Sequence, residues 1–291
     1  MSGAGLHFAL IGENIAYSKS PAIFETIFDM SAQDGTYEIL SISRGRLGPR
    51  LKQLVLDGYR GFSVTIPHKQ AVIAHLDDID STARAVEAVN CVAVVDGQLL
   101  GYNTDVFGLS LSLRRFAERL KGRDVIILGN GGAARAAVYA LRRHFDTREV
   151  TICGRSNEQL ENCCQALKTH LPDLPLNTRL FSELTDDDWR DGMVIVNATP
   201  LGGPNHVNES PLPKQFRWPR DGIYIDLNYN ADNRSLQQAK ASGLIAVDGS
   251  GMLVGQALKA YEIWTGESVP FEPVYNAVFG NQSGMQAISH G

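Results

Sequence analysis

Short apolar runs alternate with stretches of helical periodicity along nearly the whole chain. That alternation is the mark of an α/β protein with parallel sheets. Leu6–Ile11 predicts a buried strand, and a loop leads from it to Pro21 and a helix through about Ala32. Ser20 before Pro21 has the order of an N-cap followed by a first helical residue. Tyr37–Ile42 and Gly61–Ile66 predict further strands, with a helix at about Leu47–Leu56 between them. Cys91–Val95 and Leu99–Tyr102 flank Asp96-Gly97, a strong hairpin signal. A helix is expected from Asp105 to about Leu120.

The polar stretch Lys121-Gly122-Arg123-Asp124 precedes a second, clearer unit. Val125–Leu128 reads as a buried strand, 129-GNGGAAR-135 as a glycine loop, and Ala133–His144 as a helix. Glu149–Cys153 and Glu158–Thr169 repeat strand and helix, and Met193–Asn197 and Tyr224–Asp226 extend the same sheet. From about Met252 to Ile288 the pattern is mostly helical, with Gly266 and Pro270 separating two helices. Two lobes follow: a first formed by 1–105 and completed by 252–291, and a dinucleotide-binding lobe at 106–251.

Length and composition agree with this. A chain of 291 residues suits two ordinary domains, and 44% hydrophobic with 20% charged residues excludes a disordered class. The net charge of −5, without a long basic run, argues against nucleic acid or an anionic membrane as partner. No apolar stretch approaches the roughly 20 residues that span a bilayer, and the first residues lack the features of a signal peptide. Cys91, Cys153, Cys163 and Cys164 form no C-x-x-C pair, so reduced thiols in a cytoplasmic protein are expected. The histidines show no metal-binding spacing, and no metal is expected.

The glycine loop carries the first functional signal. Gly129, Gly131 and Gly132, with Asn130 and Ala133 among them, sit between strand and helix, where permissive backbone lets a pyrophosphate approach a helix N-terminus. Ala134 stands at the third glycine position of G-x-G-x-x-G, where alanine is allowed. NAD-binding sheets usually end the next strand in Asp or Glu; here it ends in Gly154-Arg155-Ser156. Arg155 suits a 2′-phosphate through its planar charged fork, so NADP is the expected cofactor. A solvated Arg155 and a loose cofactor preference is the competing interpretation.

Hydride transfer to a ketone leaves an alkoxide that must gain a proton, which calls for an acid or base beside the nicotinamide. Candidates in the first lobe are 17-YSKSP-21, 61-GFSVTIPHK-69, Asn90 and 101-GYNTD-105. Taken alone, Ser18 and Ser20 also fit loop and cap roles, Lys69 a solvated position in the first turn of a helix, and Asp105 a helix start. His68 fits a structural role.

The ordered set S-x-S-P, V-T-x-P-x-K, A-x-N-x-hydrophobic, G-x-N-T-D, G-x-G-G-x-[AGS] and 249-GSGMLVGQA-257 spans nearly the whole chain and closely resembles the shikimate dehydrogenase family. The resemblance implies an NADP-dependent oxidoreductase that interconverts 3-dehydroshikimate and shikimate. It implies a catalytic Lys69–Asp105 pair, with substrate bound by Ser18, Ser20, Thr65, Asn90, Tyr229 and Gln256. It also places Thr199, in 197-NATPLG-202, along the cofactor and Met252 beside the nicotinamide, a core methionine being the alternative for the latter. Small-molecule partners and a monomer or homodimer are expected.

These assignments suit a small cyclic carboxylate with three hydroxyls. Ser18 and Ser20 alternate along an extended loop, so both hydroxyls can donate to the carboxylate. Thr65, Asn90 and Gln256 supply neutral partners for ring hydroxyls. Two positions depart from the family pattern: Ser63 where many members have Asn, and Gly203 where many have Met. A quinate or dual quinate/shikimate dehydrogenase is the near alternative, and a non-enzymatic NADP(H)-sensing regulator the remote one.

Overall fold

The computed structural model describes residues 5–213, 216–229 and 233–280. The first half runs β1 (Leu6–Gly12), α1 (Ser20–Ser31), β2 (Gly35–Ser41), α2 (Leu47–Leu56), β3 (Gly61–Val64), β4 (Asp78–Ile79), α3 (Ser81–Val86), β5 (Cys91–Val95) and β6 (Gln98–Tyr102). Its sheet has the order β2-β1-β3-β5-β6-β4. β1 pairs in parallel with β2 and β3, but β5 is antiparallel to both β3 and β6. The expected parallel sheet is thus mixed here. The β5–β6 pair follows from the Asp96-Gly97 turn, whose residues take φ of 51° and 80° and fold the chain straight back on itself.

α4 (Asp105–Leu113), a short 3₁₀ segment at Arg114–Phe116 and α5 (Ala117–Leu120) replace the single helix expected there. The second half runs β7 (Val125–Leu128), α6 (Gly132–Phe145), β8 (Val150–Gly154), α7 (Asn157–His170), β9 (Leu176–Leu180), β10 (Val194–Asn197), β11 (Ile223–Asp226), α8 (Arg234–Ala241) and β12 (Ile245–Val247). All its strand pairs are parallel, in the order β12-β11-β10-β7-β8-β9. β7 and β10 are neighbours in this sheet although far apart in sequence. The topological switch point therefore lies at the carboxyl end of β7, beside the glycine loop.

α9 (Ser250–Thr265) and α10 (Phe271–Phe279) return to the first sheet. Val254, Ala257 and Tyr261 of α9 share a buried cluster with Phe8, Phe24 and Phe28. α9 crosses α4 at close range: a Cβ on Gly108 would lie 2.4 Å from the Met252 carbonyl oxygen, and one on Gly255 2.9 Å from the Gly108 Cα. Glycine at both positions brings the two backbones together and seats Met252 and Gln256 over the first lobe. Of the expected final helical stretch, 281–288 lies outside the described residues.

Candidate active site

Each lobe directs the carboxyl ends of its strands toward a cavity of about 440 Å³ between them. Ser18, Ser20, Thr65, Lys69, Asn90 and Asp105 line it from the first lobe, and Ala133, Thr199 and Tyr229 from the second. Met252 and Gln256, on α9, complete the lining.

Lys69 departs from expectation in its local structure. It lies in a turn before a 3₁₀ segment at Ala71–His75 and not in a helix. The turn is anchored by buried His68, whose Nε2 bonds the Ile42 carbonyl at 2.6 Å. Lys69 Nζ donates to Asp105 Oδ2 at 2.5 Å, with side chains only 16% and 5% exposed. At such exposure water screens the pair far less than it would on the surface. Asp105 opens α4, and the preceding Asn103 fixes that start, its Oδ1 accepting from Val106 N and its Nδ2 donating to the Ala88 carbonyl.

Asn90 connects three parts of the site. Its Nδ2 donates to Asp105 Oδ1 at 2.9 Å and to Thr104 Oγ1 at 3.0 Å, and lies 3.4 Å from Gln256 Oε1. Its Oδ1 accepts from the Thr104 backbone N–H at 2.6 Å. Gln256 Nε2 in turn donates to the Leu253 carbonyl, which orients its oxygen toward Asn90.

The serine loop corrects a second expectation. Ser20 is the first residue of α1, after Lys19, and makes no side-chain cap bond. Its hydroxyl accepts from Ser18 Oγ at 3.1 Å, and its N–H donates to Ser18 Oγ at 3.2 Å. Tyr229 approaches this loop from the other lobe. Burial raises the pKa of its hydroxyl, and the neighbouring Ser18 opposes the rise. At the cleft mouth Asn205 Nδ2 lies 3.4 Å from the Asn14 carbonyl, a direct contact between the lobes.

Gly129, Asn130, Gly131, Gly132 and Arg155 fall outside this cavity lining, around the β7–α6 turn and after β8. Gly129 has φ of +111°, a conformation glycine adopts without strain. Gly131 faces open space, and a Cβ on Gly132 would lie 3.3 Å from the Lys69 Cβ, so the loop ends against the lysine. Backbone N–H groups at the start of α6 can hold a phosphate there. The Asn130 side chain reaches toward Gly154, one residue before Arg155. Arg155 is exposed and has no ion-pair partner among the described residues. Met252 is buried in a core cluster and also lines the cavity.

One organising group was not anticipated. Asp226, fully buried at the end of β11, accepts from Asn197 Nδ2, Tyr224 OH, Asn233 Nδ2, and both the N–H and Nδ2 of Asn228. Asn197 Oδ1 then holds Thr199 through its N–H and Oγ1, at 3.0 and 2.7 Å. Asn228 Nδ2 also reaches the carbonyls of Thr199 and Leu201. The same side chain explains Gly203: a Cβ there would lie 2.6 Å from Asn228 Oδ1.

Residues 10–92 match the family model of the shikimate dehydrogenase substrate binding domain, and residues 249–279 that of the shikimate 5′-dehydrogenase C-terminal domain. A shikimate dehydrogenase (NADP(+)) from Chlorobium phaeobacteroides is 37% identical over 285 residues, covering 94% of this chain and 95% of its own. The chain belongs to the shikimate dehydrogenase family. Among solved structures of shikimate dehydrogenases, that of Thermus thermophilus in complex with NADP(H) and shikimate has 33% identity and a TM-score of 0.80, covering 94% of this chain and 98% of its own. A Gluconobacter 5-ketofructose reductase also superposes, with a TM-score of 0.79 at 28% identity over 96% of this chain and 98% of its own. Among the described residues no helix is long and apolar enough to cross a membrane, and no cluster of His, Cys, Asp or Glu could hold a metal ion.

Proposed function

We propose that this protein is an NADP-dependent shikimate dehydrogenase that reversibly reduces 3-dehydroshikimate to shikimate. The observation that carries the proposal is the shielded Lys69–Asp105 pair in a cavity whose other walls hold the serine loop and Thr199. A regulator that only senses NADP(H) has no need of such a pair. The relatives named shikimate dehydrogenase (NADP(+)) support the same substrate and cofactor.

When bound, NADP supplies or takes the hydride. Gly129, Asn130, Gly131, Gly132 and Ala133 would hold its pyrophosphate, Arg155 its 2′-phosphate, and Thr199 and Met252 its nicotinamide end. Lys69 Nζ, oriented by Asp105, donates a proton to the developing alkoxide in reduction and takes it back in oxidation. Ser18 and Ser20 bind the carboxylate, with Tyr229 reaching the substrate beside Ser18, while Thr65, Asn90 and Gln256 partner the ring hydroxyls. The Asn205–Asn14 contact helps the lobes enclose the site and exclude water.

Residues 1–105 and 252–291 then form the substrate-binding unit, and 106–251 the cofactor unit. Four buried free cysteines suit a cytoplasmic enzyme, and a monomer or homodimer is the proposed assembly. The test is initial-rate measurement of reduced nicotinamide with shikimate and quinate, each with NADP and with NAD. Fastest turnover is expected for shikimate with NADP. Preferred quinate oxidation would move the protein to the neighbouring branch of the family, and no turnover of either would refute the assignment.

A further inference from the structure

Two buried hydroxyls lie behind the serine loop. Tyr37 on β2 pairs in register with Phe8 of β1, and Ser63 on β3 with Leu10, two residues further along. Both side chains therefore project from the same face of the sheet. The Tyr37 ring stacks on Phe24 with centroids 4.0 Å apart, which holds the hydroxyl at depth. Ser63 and Ser20 are the hydroxyls that approach it, yet among the described residues neither Tyr37 OH nor Ser63 Oγ makes a hydrogen bond of good geometry. Burial raises the Tyr37 pKa, so the phenol remains a neutral donor.

Ser18 donates to Ser20. Ser18, Ser20 and Ser63 all line the cavity, so the Tyr37 hydroxyl stands behind residues that face the ligand. Lys69, the cation in that lining, is committed to Asp105. A buried hydroxyl is costly to leave unpaired, and an acceptor-only group such as a carboxylate suits a cluster of hydroxyl donors.

We propose that Tyr37 is a positioning residue for the carboxylate pocket, donating to Ser20 Oγ when Ser18 turns its hydrogen from Ser20 to the substrate. The inference rests on the reading above that the ligand is a ring carboxylate, and it adds a residue to that site.

The test is steady-state kinetics of Tyr37→Phe, alone and with Ser20→Ala, alongside thermal melts of the empty proteins. Tyr37→Phe is expected to raise KM for shikimate about fivefold, the worth of one net hydrogen bond between neutral groups. It should leave kcat within about twofold and KM for NADP unchanged, because the hydroxyl touches neither the proton-transfer pair nor the cofactor loop. Its melting temperature should stay close to that of the parent, since the hydroxyl makes no hydrogen bond of good geometry among the described residues. In the Ser20→Ala background the same change should add nothing further. An active parent with an unchanged KM in Tyr37→Phe, or the same penalty with and without Ser20, would overturn the inference alone. An inactive parent would overturn the functional reading and the carboxylate assignment with it.

Discussion

Asn90 Nδ2 stands 2.9 Å from Asp105 Oδ1, so the carboxylate that meets Lys69 through one oxygen is held through the other. Asn90 comes from the residue before β5 and Asp105 from the start of α4. The orientation of the lysine therefore depends on two elements that the β5–β6 hairpin brings side by side. Replacing Asn90 by Ala frees one carboxylate oxygen and removes a cavity-lining amide. kcat is expected to fall about 10- to 100-fold, with a rise in KM for shikimate. Steady-state kinetics check both, and an unchanged kcat would show that Asp105 needs no second support.

Asp226 is a buried carboxylate whose partners are amides, a backbone N–H and a tyrosine hydroxyl. Asp226→Asn turns one acceptor oxygen into a donor that faces other donors. A loss of about 2–4 kcal/mol in denaturant unfolding is expected, the scale of breaking a buried charged network. Because Asn197 and Asn228 carry the Thr199 loop, KM for NADP should rise more than KM for shikimate. Equal rises would disconnect the network from the cofactor side.

Asp124 lies before β7, where Arg148 Nε and Nη2 donate to its two oxygens at 2.7 and 2.6 Å. The hydrogen bonds from Arg148 hold its pKa below the usual carboxylate value of 3.8. A carboxyl group with a depressed folded-state pKa contributes stability above its unfolded value, and that contribution disappears as pH falls through the folded one. Asp124→Asn should therefore melt lower than the parent at neutral pH. The gap should close as the buffer is taken below about pH 4. A gap that persists in acid would assign the effect to packing.

Much of the frame was legible because it rests on local chemistry. The Asp96-Gly97 turn and the β7–α6 glycine loop each declare themselves within a few residues. Ser20 misled for the same local reason, since Ser-Pro is a helix-start signature whether or not the hydroxyl caps; here the hydroxyl is turned to Ser18 and the cavity. Lys69 was expected in a helix because Pro67 precedes it, but the His68 bond to Ile42 holds the segment in a turn. The Lys69–Asp105 contact joins residues 36 positions apart, so only the family resemblance could pair them. Asp226 escaped notice because its partners Asn197, Asn228 and Asn233 are ordinary polar residues until β10 and β11 lie side by side. The hydroxyls of Tyr37 and Ser63 come together only once β2 and β3 flank β1.

The most direct test of the central claim is the turnover of Lys69→Ala with shikimate and NADP. Loss of the proton-transfer group should lower kcat by about 10²- to 10⁴-fold, with NADP binding and the melting profile close to those of the parent. Retention of kcat within a few-fold in the folded variant would contradict the account, because proton transfer would then belong to another group in the cleft.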